Sequence, residues 1–476
     1  MHMLTDVSAW KRICELGILE WIEEKKKMRK KVVSLLLAGT MLATMISGCG
    51  STDSGKNETG TSESKNQTAN ANESGEKTEI EFWYSGGKTA VGVVQEIVDT
   101  YNASQDKYVV TTVTQADYAE TYEKLQAGIA GGVAPDLVLL DKGSARSLSD
   151  KQLVVDLSAM MAEDSEFEES DYVSAFFEQV KDGSGKVFGI PAYGTTQVLY
   201  YNIAAFEEAG VDPASIKTWQ DLGEAAKKIT EGGKYTYGWE PMWGPDNLID
   251  AAFSNGATIF SEDGKTVNIN SPEWVEVWEA FRNWIHTDKT MAIHSGGQGW
   301  EYWYNTIDDV LANTAGGYTG SSGDQADLDF SIVGAIEQPA WKDTTSSSPM
   351  AVALTMSAVA ASSEEEQAGA YDFMKYFTNV ENQAKWSMST GYVPVNLNVM
   401  DDASYKAYTE ENPQALVPFN QASHGSVYPY DPTNGAIYDA LKIAADKVEI
   451  DGVSAQEALD EAQKTAQAAL DEALGN

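Results

Sequence analysis

Two tryptophans lie in a segment that is rich in glycine and proline. The segment reads YGWEPMWGPDN (237–247) and contains Trp239 and Trp243, with Pro241 and Pro245 as helix breakers. A flat indole ring can stack on the apolar face of a sugar, and sites for such ligands combine aromatic rings with a few convergent polar groups. Trp239 and Trp243 are therefore predicted as ligand platforms, with core packing as the alternative.

Polar side chains stand where two apolar segments end. Tyr84 and Ser85 close the segment IEFWYS, and Asp141 closes DLVLLD. In α/β sheets, ligands bind beyond the carboxyl ends of the strands, and a carboxylate can accept hydrogen bonds from two hydroxyl groups. These three residues are predicted to contact ligand. Turn formation at Tyr84 and Ser85, and helix capping by Asp141, are the alternatives.

No pattern in the sequence predicts catalysis, a metal or a cofactor. His286, His294 and His424 lack metal-ligand spacing along the chain, and neither H-E-x-x-H nor G-x-S-x-G occurs. No glycine-rich nucleotide motif follows a predicted strand. A pair of carboxylates for glycoside hydrolysis is conceivable, but with 72 Asp and Glu residues such a pair carries little information. We expect a protein that is not an enzyme, with glycosidase activity as a remote alternative.

The charge balance excludes several classes of partner. The 476 residues include 33 Lys and Arg, which gives a formal net charge of −39. Nucleic-acid binding needs a basic surface that displaces counterions, and electrostatic attachment to anionic lipid needs the same sign of charge. The length predicts two or three domains. With only Cys14 and Cys49, no disulfide framework or cysteine-based zinc site is expected.

The N-terminal residues have the features of an export signal. Basic Arg29 to Lys31 precede an apolar run over 32–48, which is short for a membrane-spanning helix. The run ends at Cys49 in a sequence that resembles the bacterial lipobox. We expect residues 1–48 to be removed, with an over-extended start over 1–27, and Cys49 to carry lipid. The protein would then be anchored in the cell membrane and face the extracellular or periplasmic side.

The chain after Cys49 divides into a tether and a folded body. Residues 49–78 contain no aromatic residue and no Leu, Ile or Val, so they cannot bury enough surface to order, and they are predicted to be flexible. Strand-like and helical patterns then alternate, which predicts an α/β fold. Strands are predicted at 80–84, 108–113, 136–140, 187–192, 198–201, 331–336 and 351–361. Helices are predicted at 91–103, 117–132, 202–209, 219–229, 271–289, 364–377, 381–388 and 454–474.

Several segments, in this order, resemble a known family. They are FWYSGG (82–87), YEKLQAGIAGGVAPDLVLLD (122–141), GIPAYGTTQVLYYN (189–202), AFEEAGVD (205–212), TWQDL (218–222) and TGYVPVN (390–396). The chain resembles the extracellular solute-binding proteins, family 1, of ABC importers over about residues 80–470. That group includes maltose-binding and glycerol-3-phosphate-binding proteins, and the likeness to the second branch is the closer.

The resemblance implies a fold and a function. It implies two α/β lobes, joined by hinge crossings near 191–197, 349–352 and 393–396, that close on a ligand in the cleft between them. One lobe would comprise 78–192 plus 350–394, and the other 193–349 plus 395–476. The protein would act as a monomer without cofactors. It would capture a small-molecule saccharide and deliver it to the transmembrane subunits of an ABC permease.

The resemblance also implies ligand contacts, which complete the predicted set. The family's ligand contacts match one of two tyrosines near the start of a helix, an acid at a strand end, the hinge threonines, a glycine-rich turn and the tyrosine of TGYVP. The residues are Tyr118 or Tyr122, Asp141, Thr195, Thr196, Gly317, Tyr318 and Tyr392. The phosphate-binding branch has an Arg in the region that corresponds to 423–436, whereas this chain reads SHGSVYPYDPTNGA there. His424 could take the place of that Arg. The missing cation favours a neutral saccharide, with glycerol-3-phosphate or a glycerophosphodiester as the alternative.

Overall fold

The computed structural model describes residues 77–297, 300–433 and 435–475. The predicted signal segment, Cys49 and residues 49–76 of the tether lie outside the described residues. The first strand begins at Thr78, so the last residue assigned to the tether belongs to the fold. Within the described part of the chain, no helix combines the length and the apolar character that crossing a membrane requires.

Five strands form the first sheet. Its order is β2-β1-β3-β9-β4, with β1 parallel to β2 and β3, and with β9 antiparallel to β3 and β4. The continuous apolar run at β3 is buried along its whole length, as expected of a central strand. The strands are β1 (Thr78–Ser85), β2 (Tyr108–Gln115), β3 (Leu137–Leu140), β4 (Ile190–Thr195) and β9 (Val352–Ala358).

Four further strands form a second sheet with the order β6-β7-β5-β8. The chain leaves the first sheet at Thr195 and enters the second at Gln197, and it returns to the first sheet in β9. Strand β5 pairs antiparallel with β7 and β8, and β6 pairs parallel with β7. The strands are β5 (Gln197–Asn202), β6 (Glu240–Pro241), β7 (Gly317–Ser321) and β8 (Val333–Ile336). The expected α/β class with two sheets is confirmed.

Helices follow most strands, and many begin at a side-chain cap. Asp117 and Asp141 accept hydrogen bonds from backbone N–H groups of the helices they precede, and Thr218 and Ser363 open capping boxes. The first eight helices are α1 (Lys88–Ser104), α2 (Tyr118–Gly131), α3 (Lys142–Asp150), α4 (Ser158–Glu163), α5 (Ser174–Phe177), α6 (Ile203–Glu208), α7 (Trp219–Glu231) and α8 (Pro245–Phe253). The next eight are α9 (Pro272–Arg282), α10 (Glu301–Leu311), α11 (Glu364–Phe377), α12 (Val380–Thr390), α13 (Ala403–Glu411), α14 (Val417–Ala422), α15 (Ala436–Glu449) and α16 (Ala455–Ala473).

Each sheet has its own hydrophobic core. The first core packs β1, β3 and β9 against α1 and α11, and the second packs α7 and α9 against the C-terminal helices α15 and α16. The segment 397–411 packs on α12 through Val399 and Tyr405. The proposed lobe boundaries stay a prediction, and this segment lies against a helix that the prediction placed in the first lobe.

Candidate ligand-binding site

Tyr392, which follows helix α12, contacts Gly323, which follows strand β7. Gly391 ends α12 with φ +78°, a left-handed conformation that glycine adopts without strain, and Tyr392 follows it. The Tyr392 ring lies on Gly323, in the 3₁₀ turn Ser322–Asp327 after β7, and a Cβ added at Gly323 would lie 2.5 Å from Cζ of that ring. Only glycine leaves room for this contact.

Three aromatic side chains of the first hydrophobic core lie near Tyr392. The ring of Tyr193, in β4, has its centroid 4.7 Å from that of Tyr392 and 4.7 Å from that of Trp386. The hydroxyl of Tyr193 lies 3.0 Å from the hydroxyl of Tyr118, the first residue of α2. Burial, and then the nearby charge of Asp141, raise the pKa of Tyr118 to about 12. The structure therefore brings the predicted residues Tyr118, Asp141 and Tyr392 together.

A buried carboxyl group faces this cluster from the second sheet. Asp324 accepts a hydrogen bond from Trp303 Nε1 at 2.8 Å and one from the Tyr318 hydroxyl at 3.2 Å. Burial raises the pKa of Asp324 to about 7. Burial also raises the pKa of the Tyr392 hydroxyl, and the nearby charges of Asp324 and Asp327 raise it further.

A row of aromatic rings extends from Trp243 to the start of α10. The ring of Trp243 meets that of Tyr302 edge-on, with centroids 5.0 Å apart. Trp300 packs against Tyr302 and Trp303 at 6.4 Å and 5.9 Å. Trp300 is 58% exposed and Tyr304 is 51% exposed. Such exposed rings beside buried polar groups are suited to stacking on a ligand.

Sequence reasoning missed this run of aromatic residues at 300–304. It reads WEYWY and directly follows a glycine-rich stretch. The same argument that singled out Trp243, a ring in an irregular and glycine-rich segment, applies to Trp300. Whether a tryptophan in such a segment is exposed or buried depends on how the surrounding residues pack. The residue types of the segment alone do not reveal it.

Comparison with known proteins places the chain in a family. Residues 96–414 match the family described as bacterial extracellular solute-binding protein, which is about two thirds of the chain. The chain belongs to that family of solute-binding proteins. The membership expected from the motifs is therefore confirmed.

Related proteins agree in fold with this solute-binding protein. This chain is 26% identical over 364 residues to the sn-glycerol-3-phosphate-binding periplasmic protein UgpB of Rhizobium meliloti. The alignment covers 72% of this chain and 81% of the relative. UgpB of Mycobacterium tuberculosis, in complex with glycerophosphocholine, has a TM-score of 0.74 at 21% identity, over 84% of this chain and 100% of that one. An ABC substrate-binding protein of Listeria monocytogenes, in complex with cycloalternan, has a TM-score of 0.71 at 22% identity, over 84% and 99%. The two-lobe fold is confirmed.

Trp239 is a core residue of the solute-binding protein, so its prediction as a platform is wrong. Its side chain is 0% exposed, and its Nε1 donates to Thr319 Oγ1 at 3.0 Å. Its ring packs on Gly317, where a Cβ would overlap the indole. Gly317 therefore makes room for Trp239 rather than for a ligand, which corrects that prediction as well.

Tyr84 and Tyr318 are also buried in the sheets. Tyr84 stacks on Phe82 with centroids 5.2 Å apart, and Tyr318 stacks on Tyr200 at 5.1 Å. Tyr318 reaches the junction only through its hydroxyl, which holds Asp324. The adjacent Ser85 is buried, and its hydroxyl has no hydrogen-bond partner among the described residues. Ser85 thus remains a candidate for ligand contact.

The hinge threonines hold the two sheets together. Thr195 Oγ1 lies 3.1 Å from Ser321 Oγ, and Thr196 Oγ1 donates to the Met350 carbonyl at 2.7 Å. Thr196 is buried and also accepts from Gln421 Nε2 at 2.7 Å. Thr196 is therefore corrected to a residue of the chain crossing, while the half-buried Thr195 stays a candidate.

Asp141, Tyr122 and His424 have partners of their own. Asp141 caps α3, with Ser144 N at 3.0 Å and Ser144 Oγ at 2.6 Å, so the capping alternative is realised. The Tyr122 hydroxyl lies 2.7 Å from Ser147 Oγ and accepts from Lys151 Nζ at 2.7 Å. His424 is exposed, with Nε2 2.7 Å from Glu337 Oε2. Nothing in these contacts brings Tyr122 or His424 to Tyr392.

Two cations lie on α3 beside Asp141. Lys142 Nζ donates to the carbonyl of Tyr428 at 2.6 Å, and burial, with a smaller effect of Arg146, lowers the pKa of Lys142 to about 8. Arg146 binds Asp150 at 2.9 Å, and its guanidinium lies over the Tyr430 ring at 4.2 Å. Arg146 is thus paired with a carboxylate, and Lys142 is the other cation of α3 that an anionic ligand could use.

Proposed function

We propose that this solute-binding protein captures a neutral carbohydrate between its two sheets and delivers it to the permease of an ABC importer. The observation that carries the proposal is that the exposed ring of Trp300 packs on Trp303, whose indole donates to the buried Asp324, next to the glycine on which the Tyr392 ring lies. Ring faces match the C–H faces of a sugar, and carboxyl and hydroxyl groups match its hydroxyls. We propose binding without catalysis, by a monomer.

The charges near this cluster favour a neutral ligand. Asp324 and Asp327 lie near Tyr304 and Tyr392, so the second-sheet side of the cluster carries acidic groups. A phosphate group is bound best by fixed cations or by a helix N-terminus. Arg146 is already paired with Asp150. A phosphate would therefore meet repulsion that a sugar does not.

The second candidate ligand is glycerol-3-phosphate or a glycerophosphodiester. Two observations favour it. UgpB proteins are named for glycerol-3-phosphate, and one of them is in complex with glycerophosphocholine. Lys142 adjoins Asp141, and its lowered pKa would rise again on contact with an anion. In that case Lys142 would neutralise the phosphate.

Calorimetry of the full chain distinguishes the two ligands. Maltose, maltotriose and a cyclic glucan are titrated beside glycerol-3-phosphate and glycerophosphocholine. We expect binding of one saccharide with Kd in the micromolar range, and no heat from the phosphates. The Lys142→Met variant should retain that affinity. Binding of a phosphate alone, lost in Lys142→Met, would establish the second candidate instead.

We also propose closure of the two lobes on the ligand. Its support is the crossing between β4 and β5, where Thr195 lies 3.1 Å from Ser321 of β7, together with the family's two-lobe fold. Small-angle scattering of the protein with saturating ligand should give a smaller radius of gyration than without it. An unchanged radius with a ligand of proven affinity would contradict closure.

We propose a lipid anchor on Cys49, which holds the protein at the outer side of the cytoplasmic membrane. The support is the basic segment, the apolar run and the lipobox-like sequence before Cys49. Mass spectrometry of the membrane fraction should find a mature chain that begins at a lipid-modified Cys49. The Cys49→Ala variant should keep its signal segment. An unmodified chain beginning at Met1 or Met28 would contradict the anchor.

A further inference from the structure

A buried glutamate in β6 lies beside a second carboxyl group, that of Asp309. Glu240 is 0% exposed, and neither of its carboxyl oxygens has a hydrogen-bond partner in the described part of the chain. Burial, and then the charge of Asp309, raise the pKa of Glu240 to about 9. A buried carboxyl group without partners is costly, and such groups are normally paired or coordinate a metal.

A histidine and an aspartate from two other segments meet this glutamate. His294 lies in the segment 291–297, and its Nε2 is 3.7 Å from Glu240 Oε1 and 2.9 Å from Asp309 Oδ2. Asp309 belongs to α10. One ligand atom from each of the three side chains lies within 4.8 Å of the other two. Residues 69 positions apart in the sequence thus converge on one point.

The spacing of the three side chains suits a small divalent ion. Zinc binds nitrogen and oxygen at about 2.0–2.2 Å, so two ligands in tetrahedral geometry stand about 3.4 Å apart. The distances of 2.9 Å and 3.7 Å lie on either side of that value. Imidazole favours zinc and other transition metals, whereas sites for magnesium and calcium are built from oxygen alone.

We propose that Glu240, His294 and Asp309 form a binding site for a divalent transition metal of the zinc class. This proposal goes beyond the capture of solute and does not rest on it. The buried Glu240 supplies an oxygen that is already free of hydrogen bonds. His294 and Asp309 are partly exposed, which leaves the site open to an ion from solution.

A metal here would join three parts of the second lobe. Ala292 N donates to the Trp239 carbonyl at 3.2 Å, and Glu240 pairs with Tyr318 in β7. Helix α10 contributes Asp309 and also carries Trp303, which binds Asp324. The ion would therefore fix the helix that bears the exposed aromatic rings onto the second sheet.

The competing explanation is a proton shared between the two carboxyl groups. A protonated Glu240 could lie beside an ionised Asp309 without any metal. The Glu240→Gln variant separates the two explanations, because glutamine reproduces a neutral carboxyl group but is a poor metal ligand. If Glu240 only shares a proton and is not a metal ligand, Glu240→Gln should not lower the affinity for zinc.

The test is calorimetry of the full chain after treatment with a chelator. Titration with ZnCl₂ should show one site per chain, and MnCl₂ should bind more weakly, while MgCl₂ and CaCl₂ should give no heat. His294→Ala and Asp309→Asn should each lower the zinc affinity at least a hundredfold, and Glu240→Gln at least tenfold. His424→Ala is the matched control, because His424 pairs with one carboxylate, Glu337, at 2.7 Å, and not with two.

X-ray absorption of the zinc-loaded wild type provides a measurement that does not depend on folding of the variants. We expect a shell of nitrogen and oxygen ligands that includes one imidazole. Absence of a stoichiometric site, or equal loss of zinc in His424→Ala and His294→Ala, would overturn the proposal. Zinc uptake by Glu240→Gln at wild-type affinity would overturn it in favour of the shared proton.

Discussion

The indole Nε1 of Trp303 donates to Oδ1 of Asp324 at 2.8 Å. This bond ties the start of α10 to the turn after β7, on which the Tyr392 ring also rests. It therefore connects the exposed rings at 300–304 to the turn that the Tyr392 ring contacts. The same carboxyl group is buried, so its ionisation affects both the stability of the fold and the site.

The stability of the protein should depend on pH through Asp324. Burial raises the pKa of Asp324 from 3.8 to about 7, so between these values the folded state holds a proton that the unfolded state releases. The free energy of unfolding should therefore fall as pH rises from about 4 to 7, by at most about 4 kcal/mol from this group. Urea unfolding at several pH values measures the slope.

The Asp324→Asn variant is the control for that slope. Asparagine keeps an oxygen that accepts from Trp303 Nε1, and it does not titrate. The buried Asp250 and Glu240, whose pKa values are also raised, still titrate in the variant. The decrease in stability with pH should be smaller in the variant than in the wild type. Equal slopes for the two proteins would show that Asp324 is not protonated in the fold.

Removal of an exposed ring should weaken ligand binding without loss of stability. Trp300→Ala is expected to raise Kd about thirtyfold, because an aromatic contact at the centre of a site typically contributes about 2 kcal/mol. Calorimetry with whichever saccharide binds in the titration proposed above provides the measurement. Ile443→Ala on α15 is the matched control, since Ile443 is 59% exposed and Trp300 is 58% exposed. An unchanged Kd in Trp300→Ala would remove Trp300 from the site.

Trp239→Ala should lower the stability of the protein, which Trp300→Ala should leave nearly unchanged. Its ring is buried against Gly317 and Phe206, so truncation should lower the free energy of unfolding by about 3–5 kcal/mol. Chemical denaturation compares it with Trp300→Ala, which should change stability by less than about 0.5 kcal/mol. If Trp239→Ala proved stable and failed to bind ligand, the first interpretation of Trp239 as a platform would be restored.

The contact between Tyr392 and Gly323 should appear in a double-mutant cycle. Gly323→Ala places a methyl group 2.5 Å from the Tyr392 ring, and we expect a loss of about 1–3 kcal/mol in stability. In the Tyr392→Ala background the same change should cost much less, because the obstructing ring is gone. Denaturant unfolding of the four proteins measures the coupling. Additive effects would mean that the two residues are apart in solution.

Much of the fold could be predicted because it depends on local patterns. The strand predicted at 136–140 forms over Leu137–Leu140, a continuous apolar run at the centre of the first sheet. The helix predicted at 454–474 forms over Ala455–Ala473, with Ser454 as its cap. Periodicity and capping act within a few residues of one another, so the order of residues alone specifies them. The family motifs added the two-lobe arrangement.

The candidate sites depend on burial, which only distant contacts determine. Trp239 and Trp243 stand four positions apart in one loop-like segment, yet β7 covers the first and leaves the second half-exposed beside Tyr302. His294 has no ligand spacing along the chain, but the fold brings it to Glu240 and Asp309. The amino-acid sequence was therefore enough to predict most helices and strands and the family. Packing between remote segments decided which rings face solvent and which charged groups meet, because desolvation depends on everything that surrounds a side chain.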